Sequence, residues 1–265
     1  MSVSITVASG KGGVGKTSIS VNLALALQST GAKVCLMDTD FGLANAHIML
    51  GINPKKTISD VLSGQETLVD IKCKGPNGLD FIAGGSGLNE LLNLENKIRY
   101  RIIQATASLE AETDVLIVDA PAGAADSAIA FVSACAKPII VLVGEPTSFM
   151  DAYALIKAAH IEAGVEGFSI LVNQSNSEAE ARDHFARFQD IASRFLDVKL
   201  NFVGHLPYSQ AMRQSVVNRV PIMATRQESR ESMAFQKIAK AIIDAPSNRP
   251  KGVSFLNAQS IKVAS

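Results

Sequence analysis

The sequence predicts a doubly wound α/β fold, a mainly parallel sheet with helices on both faces. Three observations predict it. Strand-like and helix-like segments alternate almost throughout the 265 residues, as repeated β-α-β units do. Asp114-Val-Leu-Ile-Val-Asp119 and Pro138-Ile-Ile-Val-Leu-Val143 each hold an unbroken apolar run, as central parallel strands covered on both faces do. The first strand-like segment leads through a glycine-rich loop into a helical pattern, an arrangement that builds an anion cradle.

Ser2-Val-Ser-Ile-Thr-Val-Ala8 alternates polar and apolar residues as a strand does. Gly10-Lys11-Gly12-Gly13-Val14-Gly15-Lys16-Thr17 follows and fits the phosphate-loop template G-x-x-x-x-G-K-[ST]. Ser18 to Leu27 has helical spacing. Lys33 to Asp38 reads as the second strand, and Leu79 to Ala83 as another, closed by Gly84-Gly85. Ile98 to Glu112 is helical in pattern. After the two apolar strands, Phe168 to Asn173 and Leu200 to Leu206 are the last strands. Helices are predicted over 148–162, 177–195, 209–219 and 231–243, with right-handed crossovers. Ser148-x-x-Asp151 resembles a capping box opening the first of these. Residues 1–244 thus read as one P-loop domain. Ala245-Pro-Ser-Asn-Arg-Pro-Lys-Gly252 is a breaker-rich linker. The tail from Val253 to Ser265 is either disordered or a short amphipathic segment for a membrane or a partner.

Composition narrows the classes. Hydrophobic residues make up 47%, enough for one large core. Twenty-five basic residues balance 25 acidic ones, so no whole-molecule field draws nucleic acid. Locally, Arg213, Arg219, Arg226, Arg230, Lys237 and Lys240 outnumber Glu228 and Glu231 between 209 and 240. Such a surface either neutralises DNA phosphates or is a solvated helical face; the zero net charge makes DNA the weaker expectation. Cys35, Cys73 and Cys135 are odd in number and lack metal-ligand spacing, which fits a reducing cytoplasm. No leader-like segment opens the sequence, and no apolar run approaches the roughly 20 residues that span a bilayer.

The chemistry follows from the loop. Its backbone N–H groups, from Gly10 through Ser18, face a phosphate chain, and glycines admit it without a Cβ in the way. Lys16 reaches the β- and γ-phosphates, and the Thr17 hydroxyl ligates Mg²⁺. Asp119 ends an apolar strand at the edge where open α/β sheets bind ligands, and reads as the second metal-side acid or as a turn aspartate. Asp38 is placed to touch the metal through water. Asp40 either orients an attacking water or is a solvated loop carboxylate. Ala120-Pro121-Ala122-Gly123 is a small-residue loop that can approach the γ-phosphate. Lys11 is a second cation that the template does not require; it either neutralises the γ-phosphate, in its own subunit or across a dimer, or is an ordinary surface lysine.

Lys11-Gly-Gly-Val-Gly-Lys-Thr17 resembles the deviant Walker A motif of the MinD/ParA class of ATPases. Asp38-Thr-Asp-Phe-Gly-Leu-Ala-Asn45 is similar to that class's switch I, and Asp119-Ala-Pro-Ala-Gly123 to its switch II. The resemblance implies ATP and Mg²⁺ as cofactors and an ATP-state homodimer in which Lys11 reaches the partner's nucleotide. It also implies Asp40 as the hydrolysis residue and Asn45 as a phosphate-side group. Asn173 would contact adenine, with Pro207 and Tyr208 closing over the base. Within the class, Asp40 to Gly51, Glu145 to Lys157, Arg194 to Val198 and Val203 to Tyr208 are similar to the flagellar number regulators of the FlhG/FleN kind. That likeness spans residues 3–243. It implies as partners the FlhF GTPase, flagellar basal-body components and a flagellar transcription regulator. It also implies weak membrane contact and a place in the cytoplasm, at a pole or on the inner face of the membrane. Two departures stand out. The start carries no Asp-Gln-Ala motif, on which FlhF stimulation rests in such regulators. The tail's Val253, Phe255, Leu256, Ile261 and Val263 form no clean helical stripe. DNA-partitioning and septum-site relatives of the class are the alternatives.

Overall fold

The computed structural model describes residues 2–41, 45–85 and 96–257. Eight strands form one sheet in the order β3-β4-β2-β5-β1-β6-β7-β8. They are β1 (Val3–Ala8), β2 (Val34–Asp38), β3 (Cys73–Lys74), β4 (Asp80–Ile82), β5 (Val115–Asp119), β6 (Lys137–Leu142), β7 (Gly167–Ser175) and β8 (Lys199–Pro207). Every pairing is parallel except β3 with β4. The reason is visible in β2, β5 and β6, where every residue is buried. A strand with no wet face needs a helix on each side, and crossover helices supply both.

The helices divide between the two faces. On one lie α1 (Lys16–Gln28), α8 (Gln210–Val217), α9 (Ile222–Thr225) and α10 (Arg230–Asp244), packed around Leu23, Phe81 and Phe235. On the other lie α4 (Asn96–Ala105), α5 (Asp126–Ser133), α6 (Pro146–Ala163) and α7 (Glu178–Ser193), around Phe131, Phe149 and Phe188. The short α2 (Ala46–Met49) and α3 (Ile58–Leu62) follow β2. Caps set the starts of the longer helices. Ser177, Ser209 and Ser229 each accept a hydrogen bond from the backbone N–H three residues on, each worth about 1 kcal/mol. Gly164, at φ 67°, closes α6 in the left-handed conformation a glycine adopts freely.

Three expectations change. The segment expected to be helical from Ile98 to Glu112 is α-helical only to Ala105 and then tightens into a 3₁₀ turn over Thr106–Leu109. Helix α6 starts two residues ahead of Ser148, because Pro146 at its first turn has its φ already set for a helix. The Ser148 hydroxyl accepts from the Val143 N–H at 3.1 Å, so it ties the strand end to the helix and is no cap.

The third concerns the tail. The buried Lys137 ammonium donates to the carbonyls of Ile242, Ile243 and Ala245, closing the C-terminal end of α10. Asn248 then brackets Gly167, accepting from its N–H at 3.0 Å and donating to its carbonyl at 2.8 Å. Further on, the Phe255 N–H bonds the Ala134 carbonyl and the Leu256 N–H the Thr106 hydroxyl. Both side chains are buried, and Phe255 meets the Phe131 ring at 6.2 Å. Phe255 and Leu256 therefore pack on the core, while most of 246–252 is exposed. Ile261 and Val263 lie outside the described residues.

Candidate nucleotide site

Parallel strands end on one edge, and the order of this sheet gathers the loops after β1, β2, β5 and β7 there. The loop after β1 has a shape only glycines permit. Gly13 and Gly15 sit at φ 81° and 88°. A Cβ on Gly10 would lie 2.1 Å from the Asp151 backbone carbon, so the loop rests directly on the first turns of α6. Asn173, at the end of β7, donates to the Val14 carbonyl at 2.7 Å and would be struck by any Cβ on Gly15. From the β5 side, the Gly123 N–H donates to the Ser9 carbonyl at 2.9 Å. The open rim at Gly12 and Gly13, where a Cβ would meet nothing, leaves room for a ligand.

Below the rim, buried Lys16 pairs with buried Asp119 at 3.0 Å. The Ser20 hydroxyl donates to the same carboxylate oxygen at 2.8 Å. Ser20 was missed from sequence, although it stands one helical turn after Lys16 and so on the same face. Asp38 lies beside Asp119 across the β2–β5 pairing. Its two oxygens accept from the Asp40 and Ala46 N–H groups, at 3.0 and 3.1 Å. Burial, and then the nearby Asp119, push the Asp38 carboxyl up to about 7. The second oxygen of Asp119 is buried without a hydrogen-bond partner.

Two adjacent buried acids, one with an unanswered oxygen, fit a divalent cation, which removes the like-charge penalty and fills the vacant valence. Thr17 is half-buried on the first turn of α1. Asp40 is half-buried on the loop after β2. Asn45 is exposed at the N-cap position of α2 and makes no cap bond. Residues 42–44 of that stretch lie outside the described residues.

A cavity of about 330 Å³ adjoins the loop, lined by Gly15, Ser18, Asn173, Pro207, Tyr208 and Met212. Its size suits a purine ring. The Ser18 hydroxyl is buried beside it without a partner. Arg213 closes the rim, donating to the Tyr208 hydroxyl at 2.7 Å. Sequence reading counted Arg213 with a basic helical surface; the fold assigns it to the cavity. It also turns the Asn173 amide toward the loop, its oxygen accepting from the Gln174 N–H.

Lys11 behaves differently from Lys16. Its side chain is 41% exposed and pairs with Glu145 at 2.8 Å, with the Thr147 hydroxyl at 3.3 Å. That bond raises its pKa above the ordinary lysine value. One loop thus carries a buried cation paired with Asp119 and a half-exposed one paired with Glu145.

A helix N-terminus, a buried lysine and strand-end carboxylates around a glycine loop suit a Mg²⁺–nucleoside triphosphate, which places the chain among the P-loop NTPases. It belongs to their ParA family, whose model, described as ParA, a NUBPL iron-transfer P-loop NTPase, matches residues 1–243. Among individual proteins, it is 40% identical to the antiactivator FleN of Pseudomonas aeruginosa over 242 residues, 91% of this chain and 86% of that one. It is 29% identical to the flagellum site-determining protein YlxH of Helicobacter pylori, covering 90% of this chain and 81% of YlxH. The fold is shared with the Mg-ADP complex of MinD from Pyrococcus horikoshii, at 24% identity and a TM-score of 0.76, covering 92% and 96% of the two chains. Burial pushes the Cys35 thiol up to about 12 and Cys135 to about 11. It also raises the pKa of the half-buried Cys73 thiol.

Proposed function

We propose that the chain is a dimerising switch that hydrolyses ATP and sets the number or placement of flagella, with residues 1–244 carrying the activity. The flagellar part rests on the likeness to FleN and YlxH. The switch rests on one observation: Lys11 stands half-exposed on the rim of the phosphate loop, held by a surface ion pair to Glu145 and a hydrogen bond to Thr147. A cation so placed can leave Glu145 and reach a nucleotide in a facing subunit.

The roles follow. Gly10 to Ser18 and Lys16 bind the phosphates, with Gly123 approaching from the β5 loop. Thr17, Asp38 and Asp119 hold Mg²⁺, which neutralises phosphate charge. Asp40 orients the attacking water. Asn173, Pro207 and Tyr208 enclose the base, and Asn45 turns to the phosphate side. Asp38 accepts from the Asp40 and Ala46 N–H groups, so a change in its charge is felt at Asp40. The proposed partners are a second copy, the FlhF GTPase, basal-body components and a flagellar transcription regulator. The proposed place is the cytoplasm, at a pole or the inner membrane face.

The test is light scattering with Mg-ATP beside phosphate release. Asp40→Ala should hold ATP as a dimer with turnover nearly abolished, and Lys11→Ala should stay monomeric. An Asp40→Ala protein with normal turnover overturns the assignment of the water. Unchanged flagellar number after gene deletion overturns the flagellar reading, and ATP-dependent DNA binding would replace it with partitioning.

A further inference from the structure

Strand β8 ends the sheet and pairs only with β7 among the described residues. A nine-residue strand with one open side is a ready template for another chain. Helices α7 and α10 flank it, and a groove of about 410 Å³ runs along the open edge between them. Phe202, Val203 and His205 form its floor. Arg182 stands on the α7 rim; Arg230 and Lys237 stand on the α10 rim with the half-exposed Met233. The Arg182 guanidinium lies 5.0 Å from the centre of the Phe202 ring. One acid, Glu178, answers these three cations and is already paired with Arg182 at 2.7 Å. The rims converge electrically as well: burial lowers the His205 pKa, and Arg230, Arg182 and Lys237 lower it further against Glu178.

We infer that the β8 edge is a docking site for an extended acidic segment of a partner protein, which joins the sheet as a further strand. Unpaired backbone groups on a strand edge are answered by an extended chain, with side-chain pockets adding selectivity. Successive side chains of an added strand point to opposite faces. Cations on both rims therefore select acids on both faces of the incoming segment. A second copy of this chain would bring the same cations to the edge, so like charges oppose self-pairing. A nucleic acid duplex is too wide to reach a strand recessed between two helices. Pro207 lines both this groove and the base cavity, but no phosphate-loop residue lines the groove, and the inference does not depend on the nucleotide reading.

The probe is a fluorescein-labelled octapeptide of alternating acidic pairs and valines, titrated by anisotropy at low salt without nucleotide. Saturable binding should weaken about tenfold or more in each of Arg182→Ala and Lys237→Ala, with thermal unfolding and ATP binding unchanged. Amide NMR shifts should move along 199–206 and stay still at β3. A peptide with each valine replaced by proline has the same charge but lacks the backbone donors at those positions, and should not bind. Three results overturn the inference: no binding up to about 1 mM peptide, equal binding of the proline peptide, or a DNA duplex that displaces the peptide and depends on the same two cations.

Discussion

Replacing Phe255 with alanine separates a core residue from a membrane anchor. The ring is 4% exposed and packs against Phe131, itself fully buried. Phe→Ala at such a position costs about 3 kcal/mol or more, through lost transfer energy and the cavity left behind. For a chain of this size, 1 kcal/mol moves the midpoint by about 2 °C, so the midpoint should fall by about 6 °C. Phe195, 73% exposed, is the control, since surface changes usually stay within about 0.5 kcal/mol. Thermal unfolding by circular dichroism reads both, alongside pelleting with anionic vesicles. Truncation after residue 252 should act like Phe255→Ala, since it also removes the bonds to Ala134 and Thr106. An unchanged midpoint with lost vesicle binding would refute the packing argument and return Phe255 to the lipid.

Gly10→Ala should abolish nucleotide binding, read by fluorescent ATP titration, because its Cβ meets the Asp151 backbone at 2.1 Å and no side chain can swing away; near-normal affinity would contradict the rigid seating of the loop. Glu145→Gln frees Lys11 from its ion pair, so light scattering should find dimer at lower ATP concentration than in the parent. Stability should also depend on pH in a particular sense. Asp38 keeps its proton up to about 7 when folded, whereas an unfolded aspartate ionises near 4. The folded state thus holds the extra proton between those values, and stability falls as pH rises through that window. Asp38→Asn should flatten the curve of midpoint against pH, and parallel curves for the two proteins would contradict it.

Much of the fold is legible in sequence because its signals are short-range. The apolar runs of β5 and β6, the serine caps and the proline–glycine breaks each act within a few residues. Helix α5 and strand β3 escaped notice for the same reason. Eight residues after a small-residue loop carry little periodicity, and a two-residue strand exists only because β4 pairs with it. In the site, Lys16 and Thr17 follow from the template, but Arg213 reaches the base cavity only because α8 folds back beside β7 and β8.

The sequence alone determined the phosphate loop, since positive φ at Gly13 and Gly15 and a helix beginning at Lys16 are local consequences of those residues. Tertiary structure alone decided the partners. Asp38 and Asp119 are 81 residues apart and meet only because β2 and β5 are adjacent. Lys11 finds Glu145 across 134 residues, and Phe255 finds the Phe131 ring. Backbone preference is a short-range property, whereas charge pairing and burial depend on which surfaces the whole chain brings together.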